Sequence, residues 1–217
     1  MSGLERWWQQ MRARVHALTG PRIMPAHLSA PEASTRWRAI RALHQRPQPA
    51  LLAPLLARLP HEDALNREAV VDVLVSWGPD MVLAPARQAL HQQPSIHQAT
   101  SLLNLLAQLP AAENRAVITP WLDADNLHLR AAAFRALAAL GHDADVPQLA
   151  AALKTEQPAV QRGILAGLCA PAGETVLQAL SPHADPILQQ LAIQARARIT
   201  AAMEPERNSK RKKDSND

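Results

Sequence analysis

The amino-acid sequence predicts an all-α protein, an α-α superhelix of about five stacked helical hairpins with an N-terminal capping helix. Three observations support this prediction. Hydrophobic residues make up 47% of the chain and aromatic residues only 3%, so the core must consist of Leu, Ala, Val and Ile. There are 18 Pro but only 7 Gly, which indicates many short helices and few sheet turns. The third observation is a helical segment that recurs at a fixed spacing along the chain, as in repeat proteins.

The repeated segment is clearest in "LRAAAFRALAALG", residues 129–141, and similar segments begin at Thr35, Asn66, His97 and Val160. When these segments are aligned, one column holds Arg36, Arg67, Gln98, Arg130 and Gln161. A second column, two helical turns further along, holds Leu43, Leu74, Leu105, Leu137 and Leu168. Successive members of each column are one repeat apart, and the residue numbers show that this spacing is constant to within a single residue. We therefore expect the five leucines to form one continuous buried column.

A second set of apolar segments alternates with the first, namely "PALLAPLLARLP", "DMVLAPARQAL", "NRAVITPWL" and "DVPQLAAAL". Pro54, Pro85 and Pro147 share one column of this set, and proline is tolerated in the first turn of a helix. Each unit is thus predicted to be a helix, a turn and a second helix. One such hairpin cannot bury both apolar faces, but stacking buries them. The alanines of residues 131–139 would let neighbouring helices approach closely.

One unit, "DADNLHLRAAAFRALAALGHDADVPQLAAAL", residues 123–153, resembles a HEAT repeat of the short kind called PBS-lyase HEAT-like. It has the loop, the early arginine, the Ala/Leu pattern, the glycine and the proline-led second helix of that family. The resemblance extends from about Leu28 to about Ile199, with Gln98 and Gln161 in place of the arginine in two units. It implies a solenoid fold, and no catalytic residue can be transferred from it.

Two segments flank the predicted array of residues 28–202. Residues 1–20 are predicted to form an amphipathic helix, in which Trp7 and Trp8 lie beside several arginines. We interpret this helix as a cap on the open end of the stack. The alternative is that it docks on a partner or on an anionic membrane. Residues 203–217 have no apolar periodicity and are basic, which predicts a disordered tail.

The sequence offers little for catalysis, so we predict no enzyme activity and no cofactor. Cys169 follows the column leucine on an apolar helix, as expected of an inert thiol. His61, His142 and His183 lie next to acids but in different units, so we predict no metal site. There is neither a glycine-rich phosphate loop nor a pair of carboxylates. The single cysteine and the absence of a signal-peptide or membrane-spanning pattern predict a cytoplasmic protein.

The charged columns are predicted to be structural. We expect Arg36, Arg67 and Arg130 to bond to an acidic or carbonyl group of the neighbouring turn. A further column is expected to form a charge ladder between stacked units, and consists of Arg41, Asp72, Asn104 and Arg135. Arg41 and Asp72 are the best pair in this ladder. Because such pairs are exposed, each contributes only about 0–1 kcal/mol.

We predict that the protein is a non-catalytic adaptor, scaffold or assembly factor that binds another protein and no small-molecule substrate. The second helices usually line the inner surface of a solenoid. The predicted partner-binding positions there are Arg58, Arg87, Gln88, His91, Arg115 and Gln148, with Trp7 and Trp8 on the first segment. One alternative is nucleic-acid binding, although basic and acidic residues are interspersed. The other, implied by the resemblance, is a bilin-lyase-like factor for chromophore attachment.

Overall fold

The computed structural model describes residues 23–181 and 185–214, with side chains as far as Glu204. Helix makes up 74% of the structure, and the described residues contain no strand. The protein is therefore all-α, as the sequence predicted. Residues 1–20, with Trp7 and Trp8, lie outside the described residues, so the interpretation as a cap stays a prediction. Within the described residues, no helix is both long and apolar enough to cross a membrane.

Helices alternate between two sets, which we call first helices and second helices. After the short helix α1 (Pro25–Leu28), the first helices are α2 (Ala33–Ala42), α4 (Ala64–Trp77), α6 (Ile96–Gln108), α8 (Leu127–Leu140), α10 (Pro158–Gly167) and α12 (Pro186–Asp214). The second helices are α3 (Leu52–Arg58), α5 (Pro79–His91), α7 (Asn114–Ile118), α9 (Val146–Thr155) and α11 (Gly173–Leu177). Short 3-10 turns lie at Pro49–Leu51, Thr119–Trp121 and Asp143–Asp145.

Each first helix packs against the next first helix along the chain. These contacts join α2 to α4, α4 to α6, α6 to α8, α8 to α10 and α10 to α12. Among the second helices, α3 contacts α5, α5 contacts α7, and α9 contacts α11. The apolar face of one helix is therefore buried by helices about one repeat away in sequence, since a single hairpin could not bury it alone.

The boundaries of α8 follow from its sequence. The Asn126 side chain accepts hydrogen bonds from the backbone N–H groups of His128 and Leu129, at 3.0 and 3.2 Å, and so caps the N-terminus. At the other end Gly141 adopts a left-handed φ of 67°, which ends the helix. Asp63 and Ser95 cap α4 and α6 in the same way, through their side-chain oxygens.

The five column leucines lie in one core. Leu43, Leu74 and Leu105 are fully buried, and Leu137 and Leu168 are at most 2% exposed. All five belong to a single cluster of buried side chains that extends from Leu28 to Ile199. Burying each leucine contributes roughly 1.5–3 kcal/mol, so this column is a principal source of stability.

The closest approach between helices lies between α8 and α10. A Cβ atom built on Gly163 would lie 2.4 Å from the carbonyl oxygen of Ala131. One built on Gly167 would lie 2.2 Å from the carbonyl oxygen of Arg135. The two helices thus touch backbone to backbone, which only glycine on α10 permits. The small side chains of α8 are consistent with this contact, because Ala138 also lies against Gly167.

Two features differ from the prediction. Pro85 lies inside α5, because that helix begins one turn and more earlier at Pro79, which is itself a good first residue. The aligned prolines therefore do not mark equivalent helix starts. At the C-terminus, α12 continues to Asp214, through most of the segment 203–217 that we expected to be disordered. Lys, Arg, Glu and Met favour helix without any apolar periodicity, so the lack of an apolar face did not end the helix.

Candidate functional site

The column arginines contact the turns next to them. Arg36 donates from Nε to the Glu62 carboxylate at 2.9 Å and from Nη1 to the Ala30 carbonyl at 2.9 Å. Arg130 donates from Nη1 to the Ala124 carbonyl at 2.6 Å and from Nε to the Glu156 carboxylate at 3.3 Å. These bonds tie the start of a first helix to the loop before it and to the end of its own hairpin.

Glu62 carries a fully buried carboxylate that is shared by two arginines. Arg36 lies 2.9 Å from it and Arg58 lies 2.8 Å from it, so two cations neutralise one buried anion. We expected Arg58 to be exposed for partner binding, and this was wrong. Its side chain is only 25% exposed because Glu62, one helical turn later on the chain, holds it against the protein.

Replacing Glu62 by alanine is expected to lower the free energy of unfolding by about 3 kcal/mol, because it leaves two partly buried guanidinium groups without an anion. Urea unfolding measures this loss. Glu174→Ala is the matched control, since its pair with Arg196 is exposed, at 45% and 58%, and should contribute at most about 1 kcal/mol. Equal losses in the two variants would show that the Glu62 carboxylate is not a structural anchor.

The other arginines predicted to bind a partner are also paired within the chain. Arg115 reaches the fully buried carboxylate of Asp145 at 2.6 Å, although its own side chain is 49% exposed. Arg87 lies 3.8 Å from Glu113 and is only 24% exposed, so our expectation of an exposed Arg87 was wrong as well. The pairing explains this, because Glu113 belongs to the next hairpin. The remaining predicted positions are exposed, namely Gln88, His91 and Gln148.

The polar column on the first helices forms two pairs. Arg41 on α2 lies 3.8 Å from Asp72 on α4, and both side chains are 46% exposed. Arg135 on α8 donates to the side-chain oxygen of Asn104 on α6 at 3.5 Å. The guanidinium of Arg41 also lies 5.9 Å from the ring centre of Trp37. Because these contacts are long and exposed, they contribute little to stability.

A groove of about 760 Å³ crosses α4, α6 and α8 on this same face. α4 contributes Arg67, Glu68 and Asp72, α6 contributes His97, Thr100, Asn104 and Gln108, and α8 contributes His128 and Arg135, with Asn126 at its start. The floor includes small and apolar side chains, while charged and amide groups surround it. Such a surface offers hydrogen-bond donors, acceptors and both signs of charge at once.

The sequence analysis missed this groove because it assigned the binding surface to the second helices. A signal was nevertheless present. His97 and His128 lie one repeat apart, at the same repeat position, and Asn104 and Arg135 do so as well. Polar residues that recur at the repeat spacing on the first helices indicate a shared exposed face. What the pattern could not give is the gap between the helices, because that depends on their spacing in the fold.

Cys169 lies away from this groove, near the contact between α8 and α10. It is half-buried, and its Sγ lies 3.7 Å from the Ala139 carbonyl. Burial raises the pKa of the thiol, and the nearby Arg198 opposes this only in part, so the neutral thiol is favoured. Among the described residues, no group of three or more His, Cys, Asp or Glu could hold a metal ion. His61 and His142 are exposed in turns, and His183 lies outside the described residues.

The fold and the groove together define an all-α protein with a polar interaction face on its first helices. No protein-family model matches the chain, and no curated protein matches it. Its resemblance to HEAT-like repeats therefore depends on the residues quoted above, and its function has to be argued from the groove.

Proposed function

We propose that the chain is a HEAT-like solenoid of five helical hairpins, followed by α12 as a final first helix. The pairwise contacts between successive first helices support this proposal. The buried leucine column supports it as well, since its members recur at the repeat spacing. A third support is the arginine–carboxylate bond within a hairpin, which joins Arg36 to Glu62 and recurs at the same sequence separation between Arg130 and Glu156.

We further propose that this solenoid is a non-catalytic adaptor, scaffold or assembly factor that binds another protein in the cytoplasm. The groove across α4, α6 and α8 is the observation that carries this proposal. Small-molecule sites are mostly enclosed and apolar with few polar groups. This groove is open to solvent and lined by charged and amide side chains, which suits a segment of a protein.

The groove also favours protein over nucleic acid. A nucleic-acid site concentrates basic side chains on one surface so as to displace counterions from phosphates. Here Arg67 and Arg135 share the groove with the acids Glu68 and Asp72. These carboxylates would repel a phosphate backbone, whereas a protein segment can present both signs of charge.

Thr100→Trp tests this proposal, because Thr100 lines the middle of the groove on α6 and an indole there would occupy it. Tagged wild-type protein and the variant are used to capture partners from the native cell, and each captured protein is quantified by mass spectrometry. We expect the variant to lose at least about 90% of the specific partner, as a bulky side chain in the centre of an interface should.

Gln148→Trp is the matched control, since Gln148 is exposed on the second helix α9. It should retain the partner, and both variants should melt like the wild type. If Gln148→Trp loses the partner and Thr100→Trp keeps it, the binding surface lies on the second helices and our assignment of the groove is wrong. If neither substitution changes capture, the groove is not a protein-binding site.

A further inference from the structure

Two of the column arginines are neutralised within their own hairpins. Arg36 is bonded to Glu62 and Arg130 to Glu156, and in both cases the carboxylate follows the arginine at the same separation along the chain. The side chains are 12% and 18% exposed, so each guanidinium is largely removed from water. A carboxylate at this place therefore compensates a cation that has lost much of its hydration.

Arg67 occupies the same column but has no such carboxylate. Gln93 stands at the same distance along the chain after Arg67, so an amide replaces the acid. The Arg67 guanidinium donates to the backbone carbonyl of Glu62, while the carboxylate of that residue is bonded to Arg36 and Arg58. Among the described residues, Arg67 forms no ion pair, although it is half-buried and lines the groove.

Arg135 is the corresponding cation on α8, at the other side of the groove. It is half-buried, and its contact in the described part of the chain is the 3.5 Å bond to the neutral oxygen of Asn104. No carboxylate of the described residues lies within ion-pair distance of it. The groove therefore holds two half-buried guanidinium groups whose positive charge is bonded only to neutral oxygens.

The acids that line the groove do not cancel this charge. Asp72 lies 3.8 Å from Arg41, which neutralises it from outside the groove. Glu68 is exposed and is the single remaining carboxylate among the groove residues. Two unmatched cations thus face one unmatched anion, so the groove carries a surplus of positive charge even with His97 and His128 neutral.

We infer that the groove binds an acidic segment of the partner protein, and that Arg67 and Arg135 each receive one of its carboxylates. This inference rests on the proposed function. Guanidinium groups bind carboxylates through charge-assisted, bidentate hydrogen bonds, and a partner's carboxylate supplies what Glu62 and Glu156 supply to the other two arginines. The amide side chains of Asn104 and Gln108 lie between the two cations and can bond to the backbone of the segment.

Fluorescence anisotropy with a labelled deca-glutamate peptide at low salt tests the inference. We expect the full chain to bind this peptide about tenfold more tightly than a deca-glutamine peptide, and to lose that preference at high salt. The double variant Arg67→Gln/Arg135→Gln should bind deca-glutamate about tenfold more weakly than the wild type. The control is Arg38→Gln/Arg162→Gln, which removes two exposed arginines outside the groove and should change binding by less than about twofold.

Thermal melts accompany these measurements, because Arg67 also donates to a backbone carbonyl. If the double variant unfolds, Arg135→Gln alone decides the question, since its contact with Asn104 is long and contributes little to folding. Equal losses in the groove and control variants would overturn the inference, because binding would then follow net charge. Tighter binding of an oligothymidylate at the same arginines would overturn it too, and would indicate phosphate recognition.

The two proposals fail separately. If Thr100→Trp abolishes capture of the native partner but deca-glutamate does not bind, the groove is a protein site and only the acidic character of its partner is refuted. If Thr100→Trp leaves capture unchanged, the proposed function itself is refuted, whatever the peptide does.

Discussion

Replacing Gly167 by alanine is expected to lower the free energy of unfolding by at least about 2 kcal/mol. The new Cβ would lie 2.2 Å from the Arg135 carbonyl oxygen and 2.9 Å from the Ala138 side chain. Neither the backbone oxygen nor a methyl group can rotate away, so α10 must move off α8 and lose contacts along both helices. Urea unfolding measures the loss, and Leu165 and Ile164, fully buried on the same helix, would lose packing.

The sign of this effect is informative because helix propensity acts in the opposite direction. In an uncrowded helix, alanine is more stable than glycine by about 1 kcal/mol. Ala84→Gly, at an exposed position inside α5, measures that propensity in this protein and should cost about that amount. If Gly167→Ala were instead stabilising by a similar amount, α8 and α10 would not be in backbone contact.

Leu137→Ala is expected to cost about 2–5 kcal/mol, because it removes most of a leucine that is 1% exposed and leaves a cavity between α8 and its neighbours. Thermal and urea unfolding measure this effect. Leu65→Ala is the matched control, since Leu65 is 63% exposed on α4 and its replacement should change stability by less than about 0.5 kcal/mol. A wild-type melting temperature for Leu137→Ala would contradict a buried leucine column.

The leucine column could be predicted from the sequence because burial imposes a strict rule on each repeat. A leucine that recurs once in every repeat at one helical position has to face the same way in every unit. The close approach of α8 and α10 was visible only in part. The alanines of α8 indicated a near neighbour, but the pairing of Gly167 with the Arg135 carbonyl depends on how the two helices are positioned along each other.

The binding surface was harder to predict, because exposure depends on pairing. Arg58 is polar and lies on a second helix, which favoured a partner-binding role, but Glu62 binds it from one turn later. That spacing is readable in a helix, although Glu62 lies just past the end of α3. Arg67 is the reverse case, since it belongs to a structural column and yet lacks the carboxylate that its equivalents have. Only the absence of an acid at Gln93 could have indicated this from the sequence.

The most direct test of the central claim, that the partner binds in the groove over α4, α6 and α8, is site-specific photo-crosslinking in the native cell. A photoreactive amino acid is placed at Thr100, in the groove, or at Gln148, on the exposed face of α9. Our account predicts that Thr100 forms a discrete cross-link to the captured partner, that Arg67→Gln/Arg135→Gln abolishes it, and that Gln148 forms none. A cross-link from Gln148 with none from Thr100 would contradict it.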